Sequence, residues 1–322
     1  MITYYRLEAG EVVATQDNTA PILLVIDPTP EEKAFLIKEH QIDEHNLAST
    51  QDPFELPRLE SEENHLAVIF KEPKRYSSRD NFVFLINAVG LFLYKDRLIV
   101  VASSDFAGFA GRSFSKVHSI QVLFLRVLSS CINHFIGHLQ VINEIANSLE
   151  SKLMTSMENR NLLLMFSIEK SLVYYINAIS ANGRVIERLK TNAKNIQTTG
   201  LTPELIEYVD DLAIENAQCL EQSQVYANVF TGLMNARASV VSNNLNVLMK
   251  RLTVINVVFM PLNVLAGIGG MSEFSMMTKG VVSWPFAYGV FMLALTIIGL
   301  TTYWFLRWFE QKSLRDGNKM TR

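Results

Sequence analysis

Apolar and polar positions follow three different rhythms along this chain. Up to about residue 110, short apolar runs are separated by turn-forming residues: Ile22–Ile26, Leu66–Phe70, Phe82–Ile86, Leu91–Tyr94 and Leu98–Val101. Runs of this length, rich in β-branched and aromatic residues, predict strands. Tyr94-Lys95-Asp96-Arg97 reads as a hairpin turn, and Pro30-Glu31-Glu32 opens a short helix. Residues 1–112 are therefore expected to form an α/β domain.

From Ser115 to Ala193 the apolar period becomes helical, with a break around Ser156–Asn159, so residues 113–202 are expected to form a helical hairpin. Thr202 and Pro203 then supply an N-cap and a first helical residue. No stop signal intervenes between Pro203 and Pro261, and a 3,4 spacing runs through Leu205, Val209, Leu212, Asn216, Cys219, Ser223, Tyr226, Phe230 and Leu233 towards Val247. A continuous helix to Ile268 would be on the order of 100 Å long. Its seam, over a stalk of residues 203–251, can be buried by further copies about an axis or by the preceding helices.

In the third regime charge disappears. Leu252–Ser272 and Gly280–Leu306 hold no charged residue, and each run exceeds the roughly 18 to 20 residues that cross a hydrocarbon core as helix. Transmembrane helices are expected at 252–271 and 284–306, joined by an extracytoplasmic loop at 272–283 and followed by a basic tail at 307–322. Lys250 and Arg251 precede the first span and Arg307, Lys312, Arg315, Lys319 and Arg322 follow the second, whereas the connector carries only Lys279. Positive charge collects on the cytoplasmic side, which puts both termini in the cytoplasm and the protein in the cytoplasmic (inner) membrane. Trp284 and Tyr288 at one end of the second span, and Tyr303, Trp304 and Trp308 near the other, suit interfacial belts.

Composition agrees with this division. Hydrophobic residues make up 49% and charged residues 19% of the chain, and the mean hydropathy is +0.16, more apolar than a soluble domain. A net charge of −3 excludes a chain built to coat nucleic acid. The two cysteines, Cys131 and Cys219, make no CxxC motif, which fits a reducing compartment. Met1–Arg6 leads into polar residues rather than a secretory leader, so the bulk of the chain is expected to stay where it is made. The sequence has no P-loop, dinucleotide fingerprint, HExxH or GxSxG, hence no residues for an ATP-driven pump or a hydrolase, and no enzyme activity or cofactor is expected.

The polar residues in and below the first span are neutral oxygen donors: Asn246, Asn256, Asn263 and Ser272. Asn256 and Asn263 are one heptad apart and share a face with Met249. An amide in hydrocarbon needs a partner. Two readings fit: the asparagines bond across helices as packing glue, or several copies surround an axis and the stripe becomes rings of amides alternating with rings of Met249, Leu252 and Met260, a pore with constrictions. His134 and His138, four apart on a helix, are a metal candidate without a third ligand, and Asp210-Asp211 is a candidate cation site at the start of the stalk. The charges of Lys33–Asp43 and Glu60–Glu63 read as solvated faces.

Leu248-Met249-Lys250-Arg251-Leu252-Thr253-Val254-Ile255, then Phe259-Met260-Pro261-Leu262, then Ala266-Gly267-Ile268-Gly269-Gly270-Met271, closely resembles the first membrane helix of the CorA family of divalent-cation transporters. The likeness is sharpest over about 30 residues around that helix, and the order of parts matches along the whole chain. It implies an α+β membrane protein assembled as a funnel-shaped homopentamer in lipid, with the first span lining the pore. The family's pore-facing positions fall on Asn246, Met249, Leu252, Asn256, Met260 and Asn263, and a regulatory cation position falls on Asp211.

The departures lie at the outer mouth, formed by Gly270, Met271, Ser272 and Glu273. Gly269 stands where the family has an aromatic residue, and Ser272 replaces the Asn of its Gly-Met-Asn signature. The family's asparagine is held to grip the hydrated ion's water shell. Its replacement leaves open a magnesium transporter of relaxed selectivity, a zinc-, cobalt- or nickel-transporting relative such as the zinc-transporting or CmaX-like branch, with or without proton coupling, and a non-conducting scaffold or sensor.

Overall fold

The computed structural model describes residues 1–75, 84–106, 108–153, 159–193, 202–270, 276 and 283–320. It divides into two compact units, Met1–Asn235 and Ala236–Arg322.

The first unit is built on a seven-stranded sheet: β1 (Ile2–Glu8), β2 (Glu11–Thr15), β3 (Ile22–Ile26), β4 (Arg58–Ser61), β5 (His65–Pro73), β6 (Ile86–Tyr94) and β7 (Leu98–Ala102), in the order β2-β1-β3-β7-β6-β5-β4. β3 and β7 are parallel and every other pairing is antiparallel. Both faces are covered, which is why the central strands read as unbroken apolar runs rather than alternating ones. On one face Leu23, Val25, Ile99 and Val101 pack with Leu36 of α1 (Pro30–His40) and Leu47 of α2 (Glu44–Ser49). On the other, Ile22, Leu24, Leu66, Val68, Phe70, Leu98 and Val100 meet α3 (Ile120–Leu153) and α4 (Asn159–Ala193). Thr29 and Glu32 close a reciprocal capping box at the start of α1: the Glu32 amide donates to the Thr29 hydroxyl (3.3 Å) and the Thr29 amide to the Glu32 carboxylate (2.9 Å).

The strand pattern expected from sequence needs two corrections. Phe82–Ile86 and Leu91–Tyr94 are not separate strands, since β6 runs unbroken from Ile86 through Gly90 to Tyr94; residues 82 and 83 lie outside those described. Gly90 is not a break: a Cβ there would collide with the Thr50 side chain, so glycine lets α2 lie close on the sheet. The hairpin β1–β2 and the edge strand β4 escape an apolar-run criterion because their residues are polar and partly exposed.

α5 (Pro203–Gly269) is a single 67-residue helix. Thr202 caps it, with its carbonyl accepting from Leu205 (3.0 Å) and Ile206 (3.1 Å). Within the first unit Val209, Leu212, Asn216, Cys219, Ser223 and Phe230 are buried, so this part of the seam packs inside the chain rather than waiting for a second copy. In the second unit the rest of α5 accompanies α6 (Trp284–Met320), which continues as helix through the basic residues instead of ending at Leu306. Among the described residues, four helices are long and apolar enough to cross a membrane. Those of α3 and α4 spend much of that surface in the core, while among the described residues none of the apolar windows of α5 and α6 is fully buried.

Candidate functional site

In the second unit, Asn246, Met249, Leu252, Asn256, Met260 and Asn263 are all exposed, Met260 to 72% and Met249 to 62%. At ~100° per residue they fall within an arc of about 120° on α5. The partly covered residues of the same stretch are Val254, Val258, Leu262 and Leu265, whose arc is centred roughly 170° away. α6 presents a matching row, Ala287, Phe291, Leu295, Gly299, Thr302 and Leu306, spaced by three or four and likewise partly covered. Contact between the rows is direct at Gly299, where a Cβ would stand 3.2 Å from Leu262 Cδ1. The face of α5 that meets α6 is thus opposite the amide stripe.

Hydrogen bonding separates the stripe from its surroundings. The hydroxyls of Thr253, Thr296 and Thr302 donate one turn back, to the carbonyls of Met249 (2.9 Å), Met292 (2.8 Å) and Ile298 (2.7 Å). These need no outside partner. The side-chain amides of Asn246, Asn256 and Asn263 bond to none of the described residues. A stripe of bare amides between bare methionines and leucine can bind water, another copy's polar groups, or an ion through its waters.

Of the outer-mouth residues, Gly270 is exposed and its amide donates to the Ala266 carbonyl (3.0 Å); Met271, Ser272 and Glu273 lie outside the described residues. Asp211 is exposed near the start of α5, where it helps burial push the Glu215 carboxyl one turn on above the usual range, against the pull of Arg126. Its neighbour Asp210 is tied to Lys190 at 2.7 Å. Among the described residues no three His, Cys, Asp or Glu side chains come together in a way that could hold a metal ion directly. The His134–His138 pair is accordingly not a closed metal site. His138 Nδ1 lies 2.6 Å from the Tyr175 hydroxyl, and burial, then His134, push this imidazole down to about 3. It is a neutral core residue.

Sequence reasoning passed over Glu72. The alternation Leu66, Val68, Phe70 on β5 feeds the helix-facing core, and Glu72 continues that same row with a carboxyl that is only 4% exposed. An acid at the next core position of a strand was the readable signal.

Residues 22–307 match the family described as CorA-like Mg2+ transporter protein. The chain belongs to the CorA family. It is 26% identical over 257 residues, 76% of this chain and 78% of the other, to a cobalt/magnesium transport protein CorA of Methanocaldococcus jannaschii. The complete structure of the CorA magnesium transporter from that organism superposes with a TM-score of 0.77 at 20% identity, covering 95% of this chain and 97% of that one. Full-length CmaX has the same fold, with a TM-score of 0.69 at 12% identity over 95% and 96% of the two chains. The ZntB cytoplasmic domain from Vibrio parahaemolyticus matches 75% of this chain and 98% of its own with a TM-score of 0.57 at 10% identity. At such identities these likenesses establish the CorA fold.

Proposed function

We propose that this protein transports a divalent cation across the cytoplasmic membrane through a homopentameric pore lined by the second half of α5. The observation that carries the reading is the opposition of faces: the row of α5 that packs on α6 leaves the unpartnered amides pointing the other way. An amide glue between α5 and α6 would have put them on the covered side. In a pentamer the stripe becomes rings, with Asn246, Asn256 and Asn263 offering oxygen and Met249, Leu252 and Met260 narrowing the path, while α6 stands outside against lipid.

Neutral amides suit an ion that keeps its waters. Magnesium dehydrates reluctantly, so recognition through the hydration shell avoids the cost of stripping it. A membrane potential, negative inside, contributes about 2.3 kcal/mol per charge per 100 mV, roughly double for a divalent ion, and inward movement needs no ATP. Five Ser272 hydroxyls at the mouth, with Gly270, Met271 and Glu273, reach fewer of the ion's waters than longer amides would, so selectivity among hydrated divalents is relaxed. Asp211 contributes to a cytosolic regulatory cation site between subunits.

A second reading within the same class is favoured by Ser272 together with the fold shared with CmaX and ZntB. There the cargo is zinc, cobalt or nickel and movement is coupled to protons. Purified protein in liposomes, assayed for uptake of magnesium, zinc, cobalt and nickel at several internal pH values, separates these. Potential-driven magnesium uptake that ignores the proton gradient supports the pore; uptake of the transition metals alone, dependent on that gradient, supports the coupled carrier; absence of flux for every ion, from a correctly assembled protein, identifies a scaffold or sensor.

A further inference from the structure

Glu72 is out of place by every rule of strand burial, and a cavity explains it. Its carboxyl follows Leu66, Val68 and Phe70 on the helix-facing side of β5, the residue is 4% exposed, and its Oε1 has no hydrogen-bond partner among the described residues. Burying such a group without a partner costs several kcal/mol. Glu72 lines a cavity of about 220 Å³ with Arg75, Asp105, Ser113, Ser130 and His134. At ~30 Å³ per water this holds about seven waters, or one small cation with about six.

We propose that this cavity binds one hydrated divalent cation, held through its water shell by the carboxylates of Glu72 and Asp105 and the imidazole of His134. Three separate stretches of chain supply these groups: the end of β5, the segment after β7 and the middle of α3. No three acidic or imidazole side chains among the described residues close to direct coordination, which is the geometry expected when waters stand between protein and ion. His134 is kept neutral by burial and then by Arg75, against Asp105, so a ring nitrogen remains available to accept from a water.

The charges that face the cavity define the competition. Lys74 Nζ lies 3.8 Å from Asp105 Oδ2, and Asn87 Nδ2 donates to that same oxygen at 3.2 Å. Arg75 pulls the Glu72 carboxyl down, while burial, the largest influence, and then Asp105 push it up to about 8. Cys131, next along α3, is held as a neutral thiol by burial. Without a divalent ion, Glu72 near pH 7 is mostly protonated and Lys74 balances Asp105; ion entry releases the Glu72 proton to solvent and displaces Lys74. The site stands on its own geometry, and its meaning as a cytosolic control on flux rests on the transport reading above.

Full-length protein in detergent is titrated with Mn2+, whose free hexaaqua form is counted by electron spin resonance. The wild type should bind one more ion per chain than Glu72→Gln or Asp105→Asn, and Mg2+ and hexaamminecobalt(III), an inert likeness of a hydrated ion, should compete for it. Asn263→Leu, in the other unit, should keep it. Mg2+ should raise the melting temperature of the wild type and of Asn263→Leu by more than that of either acid variant. Equal ion counts in wild type and both acid variants overturn the site, as does failure of hexaamminecobalt(III) to compete. Asp105→Asn carries the test where Glu72→Gln does not fold. A protein without flux that still shows the Glu72-dependent ion defeats the transport reading alone, and flux without that ion defeats this one alone.

Discussion

Asn182 and Asn263 carry the same amide and meet opposite fates. Asn182, on α4 and 0% exposed, closes a bracket on the backbone of β5: its Oδ1 accepts from the Lys71 amide (2.9 Å) and its Nδ2 donates to the Lys71 carbonyl (2.8 Å). That backbone edge is open because β4 ends at Arg58, opposite Ile69. Asn216 does similar work, donating to the Ile179 carbonyl at 3.0 Å. In the second unit Asn263 is exposed, as are its neighbours on the stripe, and it bonds to none of the described residues. Within the first unit an amide completes the fold; within the second it awaits something outside the chain. The amides of the first unit find their partners within one copy, and those of the stripe find none among the described residues.

The sharpest way to break this contrast is to make both amides apolar. On the pore reading, Asn263→Leu should abolish divalent-cation uptake in liposomes, at least a hundredfold, because five apolar side chains would replace groups that bind the ion's waters. The melting temperature of the assembled protein should stay within a few degrees of wild type. If instead assembly and uptake fall in parallel, Asn263 is packing between copies and the pore reading of that position is lost. Asn182→Leu should behave the other way: it leaves a buried N–H and C=O unpaired and should cost about 2 to 4 kcal/mol of stability. Its effect on uptake should vanish once activity is divided by the folded fraction, measured by proteolysis of the same preparation.

The difference between the units also decides what the sequence revealed. The charge-free runs, the long uninterrupted helix and the amide stripe are legible because hydrocarbon and helical periodicity restrict residue types at fixed spacing. The strands β3, β5 and β7 are legible because burial on both faces gives each an unbroken apolar run. β1, β2 and β4 are not, since strands at or next to the sheet's edges with partly exposed residues resemble loop composition, and β6 does not show as one strand because its apolar run begins only after Gly90, a glycine required by the close approach of Thr50. For the stalk seam the sequence leaves two partners open, further copies or the preceding helices. Spacing says that Val209, Leu212 and Phe230 need covering, and only the structure shows α3 and α4 doing so. The one signal of Glu72 was its place in the row of Leu66, Val68 and Phe70, and a single acid at the end of an apolar strand reads equally as the strand's end. The cavity beside it is a tertiary feature.

Glu72 is one exception inside the first unit, its buried Oε1 without a partner among the described residues, and pH tests how far the contrast holds. With its carboxyl held up to about 8 in the fold, the folded chain keeps a proton that the unfolded chain has released between about pH 4.5 and 8. Stability from this group is complete below the unfolded value and is lost as pH rises through 8, at up to about 1.4 kcal/mol per pH unit. Thermal unfolding of the full-length protein with a chelator present, compared between pH 5 and 8, should show that slope in the wild type and a flatter one in Glu72→Gln. Identical slopes would mean that water or a neighbour satisfies the carboxylate.

The smallest effect expected is in the apolar rings of the second unit, and it asks whether exposure alone makes a residue part of the path. Met260 and Leu293 are both bare, at 72% and 63%, and both are apolar. Met260 lies on the amide stripe, while Leu293 lies on α6 away from the row that meets α5, so lipid should cover it. Leu295 would be a poor control, because it belongs to that row. Widening a ring of methionines lets water persist in the constriction and lowers the barrier by about 1 kcal/mol, so Met260→Ala or Leu252→Gly should raise basal uptake roughly three- to tenfold. Leu293→Ala should leave uptake unchanged, since one apolar side chain facing lipid is exchanged for another. Equal rates for Met260→Ala, Leu252→Gly, Leu293→Ala and wild type would place the constriction elsewhere on α5; a rise in Leu293→Ala matching that in Met260→Ala would mean that the two bare surfaces are equivalent and that the opposition of faces on α5 does not define a pore.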